Sequence, residues 1–330
     1  MKYLLDTDHL SVLQLQAGPA YTTLRNRMAQ HPRTAIAVSI VSLHEQVLGC
    51  HAYLQRARTA REVVHGYTLL AQVLEHFTVA PVLPFDEPAA TVFAATTAIA
   101  LGAAFAEHGE RVLLVDLDPQ AGLTISHGID PDRLEQTVYQ VFLEEASLAT
   151  VTLTTRVPRV DLVPANLDLA GAEAELIGEI GWDRTLAEAL AVVTTAYDRV
   201  LLDCPPTLGV LTTNALVAAD VVLVPLQCEY LALRALKQLQ KILGKVRRKA
   251  NPHLQVHILR TMYDSRTTHA REVFDEIAHA GGEQVLHTFI RRTVKFADAA
   301  ASGESILHHA TDSEAADAYR ELAQELKSYA

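Results

Sequence analysis

The stretch 197-YDRVLLDCPPTLGVLTTNALVAADVVLVPLQ-227 contains two apolar runs separated by a segment of helical length. Both runs consist mainly of Val and Leu and end at Asp, Pro or Gln, a pattern typical of strands that are buried on both faces. Similar runs stand at 111–118, 159–166 and 254–262, again with helical segments between them. This alternation predicts an α/β fold with a doubly wound, mostly parallel sheet, whose ligands bind at the carboxyl ends of the strands.

Carboxylates stand at the ends of two of these predicted strands. Asp116 and Asp118 end 112-VLLVDLDPQ-120, and Asp203 ends 198-DRVLLDCPP-206. A carboxylate at such a position beside a phosphate site typically holds magnesium directly or through water, and a second acid can polarise an attacking water. The alternative is that each Asp only caps the following turn. The repetition of an Asp followed by Pro on two strands favours a functional site.

Composition limits the class of protein. Of the 330 residues, 49% are hydrophobic, but no apolar run reaches the roughly 20 residues of a membrane helix. Asp6 and Asp8 interrupt the N-terminal region before a signal-peptide core could form. The three cysteines, Cys50, Cys204 and Cys228, form no CxxC motif. We therefore expect a cytoplasmic protein with no membrane segment, disulfide framework or zinc site.

The charge is distributed unevenly along the chain. The formal net charge is −11, yet residues 234–295 hold 13 Lys and Arg residues against five Asp and Glu residues. This imbalance indicates a basic face on an acidic body. Such a face is either an ordinary solvated helix surface or a surface that binds nucleic acid.

Several stretches occur in the order found in one known family. They are 112-VLLVDLDPQAGLT-124, 163-VPANLDLAGAEAEL-176, 197–239, 261-TMYDSRTTHAREV-273 and 318-AYRELAQEL-326. Through them the chain from about Thr96 to Ala330 resembles the ParA/Soj partition ATPases, relatives of MinD in the deviant Walker class of P-loop proteins. The fold expected from this resemblance is that of a deviant P-loop NTPase.

The resemblance implies roles for the three aspartates and a set of ligands. Asp203 takes the Walker B role and reaches Mg²⁺ through water, while Asp116 and Asp118 bind metal or position water. Asp118 is the better candidate for orienting the hydrolytic water. In the family, ATP closes a homodimer, the dimer binds DNA nonspecifically, and a ParB-like partner triggers hydrolysis. A nucleoid-associated protein of the cytoplasm is therefore expected.

The phosphate loop of that family has no counterpart in this sequence. The helix that follows the loop is matched by 97-TAIALGAAFAEHG-109, but 89-AATVFAA-95 stands where KGGVGKT is expected. Only Thr96, as a metal ligand and nucleotide contact, and Thr97, as a nucleotide contact, correspond to the end of the loop. The loop requires glycines that point successive N–H groups at the phosphates, and a lysine that neutralises them. We expect 88–107 to form one helix and the nucleotide site to be degraded, which leaves ATP hydrolysis an open question.

The first ninety residues have a different resemblance. The segments 1-MKYLLDTDHLSVLQ-14, 38-VSIVSLHEQVLG-49 and 82-VLPFDEPAATVF-93 are similar to PIN-domain ribonucleases of VapC-type toxin–antitoxin systems. The resemblance implies that Asp6 and Glu45 bind Mg²⁺ or Mn²⁺ for phosphodiester hydrolysis. Asp8 is either an accessory ligand or a turn residue. The remaining acids of that family have no match.

Together the two resemblances predict a partial α/β PIN-like domain at 1–93, truncated at its C-terminal end, and a ParA-like domain at 94–330 that lacks its first strand and phosphate loop. The segment 82-VLPF-85 could replace the lost first strand. A selected fusion, a gene rearrangement and a gene-model error all explain this arrangement.

The resemblance also gives the basic segment a function. Lys237, Lys241 and Lys245 are spaced by four and therefore share one face of a helix that begins near Ala232. In the family such residues make nonspecific contacts with DNA phosphates, which weaken steeply with salt. The candidate DNA-binding residues are Lys237, Lys241, Lys245, Arg247, Arg248, Arg266, Arg271, Arg292 and Lys295.

Three functional hypotheses follow from the sequence. The first is a ParA-like DNA-segregation protein with a degraded nucleotide site. The second is an inactive pseudo-ATPase or binding module derived from a PIN–ParA fusion. The third, with the least support, is a metal-dependent PIN ribonuclease.

Overall fold

The computed structural model describes residues 3–5, 18–30, 36–39, 53, 59, 61–65, 67–69, 82–83, 87–207, 209–228, 232–265, 268–293 and 295–329. The chain divides into two compact units, Met1–Ala89 and Ala90–Ala330. Each unit has its own β-structure.

The first unit contains a small parallel sheet and a helix. Its strands are β1 (Tyr3–Leu5), β2 (Ile36–Ser39) and β3 (Val82–Leu83), in the order β1-β2-β3, and its helix is α1 (Gly18–Ala29). Val82 and Leu83 pair with Val38 and Ser39 of β2. The hypothesis that 82–85 replaces the lost first strand of the ParA-like domain is therefore wrong for these two residues, because β2 is their hydrogen-bonding neighbour.

The second unit follows the helix–strand alternation predicted from the sequence. Its strands are β4 (Val112–Asp116), β5 (Leu153–Thr154), β6 (Val160–Val163), β7 (Arg199–Asp203), β8 (Val221–Gln227), β9 (Gln255–Tyr263) and β10 (Val285–Arg291). Its helices are α2 (Glu87–Glu107), α3 (Gly122–Ser126), α4 (Val138–Phe142), α5 (Leu148–Val151), α6 (Leu169–Leu176), α7 (Thr185–Val193), α8 (Val210–Ala218), α9 (Ala232–Lys249), α10 (Thr268–Gly281), α11 (Lys295–Ser302), α12 (Ile306–His309) and α13 (Glu314–Leu326).

These strands form two hydrogen-bonded ladders. One has the order β5-β6-β4-β7 and the other the order β8-β9-β10. Every neighbouring pair is parallel except β5 and β6. The predicted α/β class with a mostly parallel sheet is confirmed, but within the described residues β7 and β8 do not pair with each other.

Helices cover both faces of the larger ladder. Val112 and Leu114 of β4 belong to a core that contains residues of α2 and α13. The alternate residues, Leu113 and Val115, belong to a second core built from helices between α4 and α8. All of β4 is buried, which explains why its sequence is a continuous apolar run. No described helix has the length and apolar character needed to cross a membrane.

Helix α2 confirms the expected continuous helix before β4. It runs from Glu87 to Glu107, with Pro88 in its first turn, where the missing N–H costs no helical hydrogen bond. It ends at Gly109, whose φ of 87° is readily adopted only by glycine. There the N–H groups of Gly109 and Glu110 donate to the carbonyls of Ala106 and Phe105, which closes the helix end.

Candidate functional site

The candidate site lies where β4 and β7 end. Asp116 and Asp203 are paired residues of these neighbouring parallel strands, so both carboxylates are at the same edge of the sheet. The strand pair is extended by one more hydrogen bond, from Leu117 N to Asp203 O (2.8 Å). Asp118 follows immediately after this point. The structure thus brings together the three aspartates that the sequence analysis selected, and all three are buried.

Asp116 is held by donors from the loop and helix that follow it. Its Oδ1 accepts from Asp118 N (3.1 Å), and its Oδ2 accepts from Thr124 N (2.9 Å) and Thr124 Oγ1 (2.7 Å). Thr124 Oγ1 also accepts from Ala165 N (3.0 Å), which ties α3 to the segment after β6. Asp116 therefore organises the carboxyl edge of the sheet.

Asp118 and Asp203 each retain a carboxylate oxygen available to a ligand. Asp118 Oδ1 accepts from Gln120 N (2.8 Å). Among the described residues, Asp118 Oδ2 and Asp203 Oδ2 are buried and have no hydrogen-bond partner. A buried oxygen without a donor is costly, and a cation bound nearby would offset that cost.

The electrostatics of the cluster also favour a positive charge. Burial raises the pKa of Asp203 well above its usual value, and the negative charges of Asp116 and Asp118 raise it further. Burial raises the pKa of Asp116 to about 6, although the hydrogen bonds from Thr124 and Asp118 oppose this rise. Asp116 and Asp203 therefore hold protons more readily than exposed aspartates do, and a divalent cation would compete with those protons.

The three aspartates fit a magnesium ion only in part. Within the described segments, no group of three or more His, Cys, Asp and Glu side chains is arranged to hold a metal ion by itself. Mg²⁺ commonly binds one or two carboxylates and completes its shell with water and substrate phosphates. The free oxygens of Asp118 and Asp203 suit this mode, in which Mg²⁺ would organise phosphate oxygens.

The phosphate side of the site does not fit a nucleotide. Residues 89–95, where a phosphate loop would lie, are inside α2. Beyond the first turn of a helix, each backbone N–H donates to a carbonyl four residues earlier and does not point at a ligand. The first helical position is the acidic residue Glu87, and no lysine or glycine stands between Pro81 and Leu101. This stretch offers neither the N–H cradle nor the cation that a triphosphate requires.

Thr96 and Thr97 lie in the middle of α2. Thr96 is half-buried and Thr97 is buried. The Thr97 and Tyr319 hydroxyls are 3.2 Å apart in the core that joins α2 to α13. Thr97 and Asp203 also line the same cavity. The roles of Thr96 in metal binding and of Thr97 in nucleotide binding stay predictions.

The candidate DNA-binding residues on α9 form an exposed basic surface. The side chains of Lys241, Lys245 and Arg248 are exposed, whereas the buried residues Leu236 and Leu243 attach the opposite face of the helix to the core. Arg247 differs from its neighbours, because it is half-buried and its Nε donates to Leu254 O (2.6 Å). Its guanidinium helps to fix the end of α9.

The remaining candidate residues lie on other elements or outside the described residues. Arg271 on α10, Arg292 after β10 and Lys295 at the start of α11 are exposed. Arg266, and the predicted PIN ligands Asp6 and Glu45, lie outside the described residues. The backbone of Lys237 belongs to α9.

Sequence reasoning gave no role to Thr124, although its hydroxyl joins Asp116 to the Ala165 amide. Thr124 is the last residue of the motif 112-VLLVDLDPQAGLT-124, so the motif contained the signal. Thr124 taken alone gave no such signal, because the role of a threonine in a short helix is not evident until its hydrogen-bond partners are known.

This site and fold define a class of protein. The class is that of α/β proteins with a mostly parallel sheet, helices on both faces and acidic residues at the carboxyl ends of adjacent strands, an arrangement that P-loop NTPases share with other α/β folds. A family model described as an AAA domain matches residues 91–256. The chain therefore belongs to this P-loop ATPase family, with relatives of the ParA/Soj type.

Three relatives illustrate this membership. The sporulation initiation inhibitor protein Soj of Bacillus subtilis is 40% identical over 232 residues, which cover 70% of this chain and 92% of Soj. The chromosome partitioning protein ParA of Caulobacter vibrioides is 39% identical over 236 residues, covering 71% and 88% of the two chains. A crystal structure described as cobyrinic acid a,c-diamide synthase from Mycobacterium smegmatis, with bound ADP and magnesium, aligns with a TM-score of 0.64 and 43% identity over 72% of this chain and 90% of that one.

Proposed function

We propose that the protein is a ParA-like DNA-partition protein that binds DNA nonspecifically and whose nucleotide site no longer holds phosphates. The family membership supports the partition role, since the Caulobacter relative is named a chromosome partitioning protein. The altered nucleotide site is proposed from the chain's own geometry.

One observation carries the second half of the proposal. Residues 89–95 continue as helix, while Asp116, Asp118 and Asp203 keep their place at the carboxyl edge of the sheet. This arrangement supports a site that keeps the magnesium side of an ATPase site without its phosphate side. Charge-assisted hydrogen bonds to a phosphate contribute roughly 1.5–3 kcal/mol each, so losing several abolishes useful ATP affinity.

The basic surface of α9 supports DNA binding. Residues 232–249 include seven Lys and Arg residues and no Asp or Glu. Lys241 and Lys245 are one helical turn apart and both are exposed, so they reach phosphates on one side of a duplex. Contacts of this kind depend on the charge of the phosphates and not on the base sequence of the DNA, as expected for nonspecific binding.

The expected partners come from the family and belong to the proposal. They are nonspecific DNA, a ParB-like protein and a second copy of the chain, and the expected location is the nucleoid in the cytoplasm. In this proposal DNA binding does not wait for ATP, because the ATP-dependent step has no phosphate cradle on which to act.

The alternative is that the protein is a pseudo-ATPase or binding module, which the continuous helix α2 also favours. It shares the loss of nucleotide chemistry, and it acts by dimerising or by engaging a ParB-like partner. The PIN-type ribonuclease with Mg²⁺ or Mn²⁺ has less support, because only two of that family's acids, Asp6 and Glu45, have counterparts in the sequence. The PIN-like assignment of 1–93 stays a prediction.

DNA binding by the full chain tests the proposal. Fluorescence anisotropy with a labelled random-sequence duplex, without nucleotide, is expected to give an affinity that falls steeply as salt rises. The double variant Lys241→Ala/Lys245→Ala is expected to bind more weakly and to lower the slope of log affinity against log salt by about 2. Arg133→Ala, an exposed basic residue paired with Asp130, is the matched control. Absence of binding at low salt, or equal slopes for all three proteins, would contradict the DNA role.

A further inference from the structure

The two ladders of the second unit end on strands that face a common gap. Among the described residues, β7 has β4 on one side only and β8 has β9 on one side only. A cavity of about 700 Å³ lies between them and is lined by 199–204 and by 221–223. The backbone groups along the inner edges of β7 and β8 therefore lack strand partners, which is an unstable condition for the interior of a sheet.

The side chains of β7 and β8 are those of central strands but are not buried like them. The five residues of β4 are all buried, whereas Val200, Leu201 and Leu202 of β7 are only half-buried. The first three residues of β8, 221–223, are also half-buried. Continuous Val and Leu runs are typical of strands enclosed on both sides. The incomplete burial of β7 and β8 therefore indicates that each of them lacks a neighbouring strand.

Helices close the gap above and below. On one face it is lined by Leu101 and Phe105 of α2, and on the other by Leu190 of α7 and Ala215 of α8. The space is thus bounded by two strand edges and two helix layers. Two strand edges whose backbone groups lack strand partners suit one extended chain, which can pair with both edges.

The gap has a charge preference at one end. Asp198 directly precedes β7 and Asp220 directly precedes β8, and both line the cavity. A strand entering parallel to β7 and β8 would bring its first residues to these carboxylates. In this chain β4 and β7 themselves begin next to or at an arginine, Arg111 and Arg199. Asp198 already accepts from Arg111 N (2.7 Å), and Arg199, which also lines the cavity, is paired with Glu110 (2.8 Å). Asp220 is therefore the carboxylate that a Lys or Arg before an aliphatic run would meet.

The occupant is not among the strands that the structure describes. β1, β2 and β3 pair with one another, and β4, β6 and β9 already have neighbours on both sides. We propose that the gap between β7 and β8 binds one extended strand of a partner polypeptide, with a Lys or Arg followed by about four uncharged aliphatic residues, by β-strand addition to both edges. This inference is independent of DNA and nucleotide binding.

A synthetic peptide tests the proposal on the full chain. The probe is the sequence of residues 111–115, RVLLV, with a fluorescent label and a Gly-Ser-Lys tail for solubility. The control peptide carries Pro at its second and fourth positions, which removes two N–H donors and disfavours strand pairing. Fluorescence anisotropy is expected to show saturable binding of the probe and at least about tenfold weaker binding of the control. Equal binding of the two peptides, or no binding of either, would overturn the proposal.

Amide hydrogen exchange locates the bound peptide. The probe is expected to slow exchange at 200–202 and 221–223, with little change in β4. Ala98→Trp places a bulky side chain at the cavity wall and is expected to abolish binding, whereas Leu167→Trp at an exposed site is expected to leave it unchanged. If Ala98→Trp does not fold, the exchange result decides alone. Full protection of both edges without peptide, in the monomer or on formation of a dimer, would show that the chain or a second copy fills the gap and would refute a partner strand.

Discussion

Asp116 and Asp203 are paired across adjacent parallel strands, yet only one of them is fully satisfied by hydrogen bonds. Asp116 accepts hydrogen bonds at both carboxylate oxygens, whereas Asp203 Oδ2 is buried without a partner among the described residues. The fold therefore keeps the Asp203 carboxylate at a position where its buried, unpaired oxygen lowers the stability of the protein. Such a cost is typical of functional sites, and it makes the cluster open to direct tests.

Asp203→Asn is expected to stabilise the protein at neutral pH. Because burial and the neighbouring aspartates raise the pKa of Asp203 in the folded state, the folded state binds the proton more tightly than the unfolded chain. Stability from this group is therefore present at low pH and is lost as pH rises from about 4 towards neutrality. Urea unfolding should show a gain of about 1–3 kcal/mol at pH 7.5, the usual cost of a buried polar group without a hydrogen-bond partner, and almost none at pH 4. Asp132→Asn at an exposed site is the control, and an equal effect at both pH values would contradict the explanation.

Magnesium is expected to stabilise the wild-type protein through the same carboxylates. At a concentration tenfold above its Kd, Mg²⁺ should raise the free energy of unfolding by about 1.4 kcal/mol. The effect should disappear in Asp203→Asn and persist in Asp132→Asn. Thermal unfolding at pH 7.5 with increasing MgCl₂, at constant ionic strength, measures it. An identical shift in all three proteins would indicate a general salt effect and no site at the cluster.

Glu110 joins α13 to the start of β7 and is expected to stabilise that junction. Its carboxylate lies 2.7 Å from Lys327 Nζ and 2.8 Å from Arg199 Nε. Partial burial alone would raise its pKa, but the hydrogen bonds from Lys327 and Arg199 together lower it. Glu110→Gln should therefore cost about 1–2 kcal/mol at pH 7, an effect that shrinks as pH falls below the usual carboxylate range. Glu135→Gln, an exposed substitution, should cost almost nothing at either pH.

Glycine substitutions distinguish helix from loop at the position where the family has its phosphate loop. Ala94→Gly lies inside α2 and should destabilise the protein by about 0.5–1 kcal/mol, because glycine has more freedom to lose in a helix. In a glycine-adapted loop the same change would be neutral or stabilising. Glu144→Gly, at an exposed residue with φ of 60°, is the matched control and should stabilise the protein. Urea unfolding of both variants gives the comparison.

Much of the second unit could be predicted because its strands are buried. The runs at 111–118 and 199–206 contain β4 and β7, and α2 and α9 begin within a residue of the predicted starts. The strand β10 has exposed residues, such as His287, beside buried ones, and it was not recognised as a strand. The sequence also did not predict that β7 and β8 do not pair with each other. A run of Val and Leu indicates that a strand is suited to burial, but it does not indicate which strand lies beside it.

The three aspartates of the site were predicted from their positions at strand ends, whereas their unequal hydrogen bonding was not. That inequality depends on Thr124, which lies eight residues beyond Asp116 and reaches it only through the turn at Ala121, where φ is 54°. A sequence pattern does not reveal which of several carboxylates such a turn will satisfy.

Titration of the full chain with a fluorescent ATP analogue, with and without Mg²⁺, tests the central claim most directly. The Mycobacterium smegmatis relative, whose crystal structures contain ADP or an ATP analogue with magnesium, is the positive control. We predict no saturable binding by this chain up to millimolar nucleotide, because α2 offers no N–H cradle and no lysine to the phosphates. Micromolar, magnesium-dependent binding that Asp203→Asn abolishes would contradict the claim and show that the protein retains a working nucleotide site.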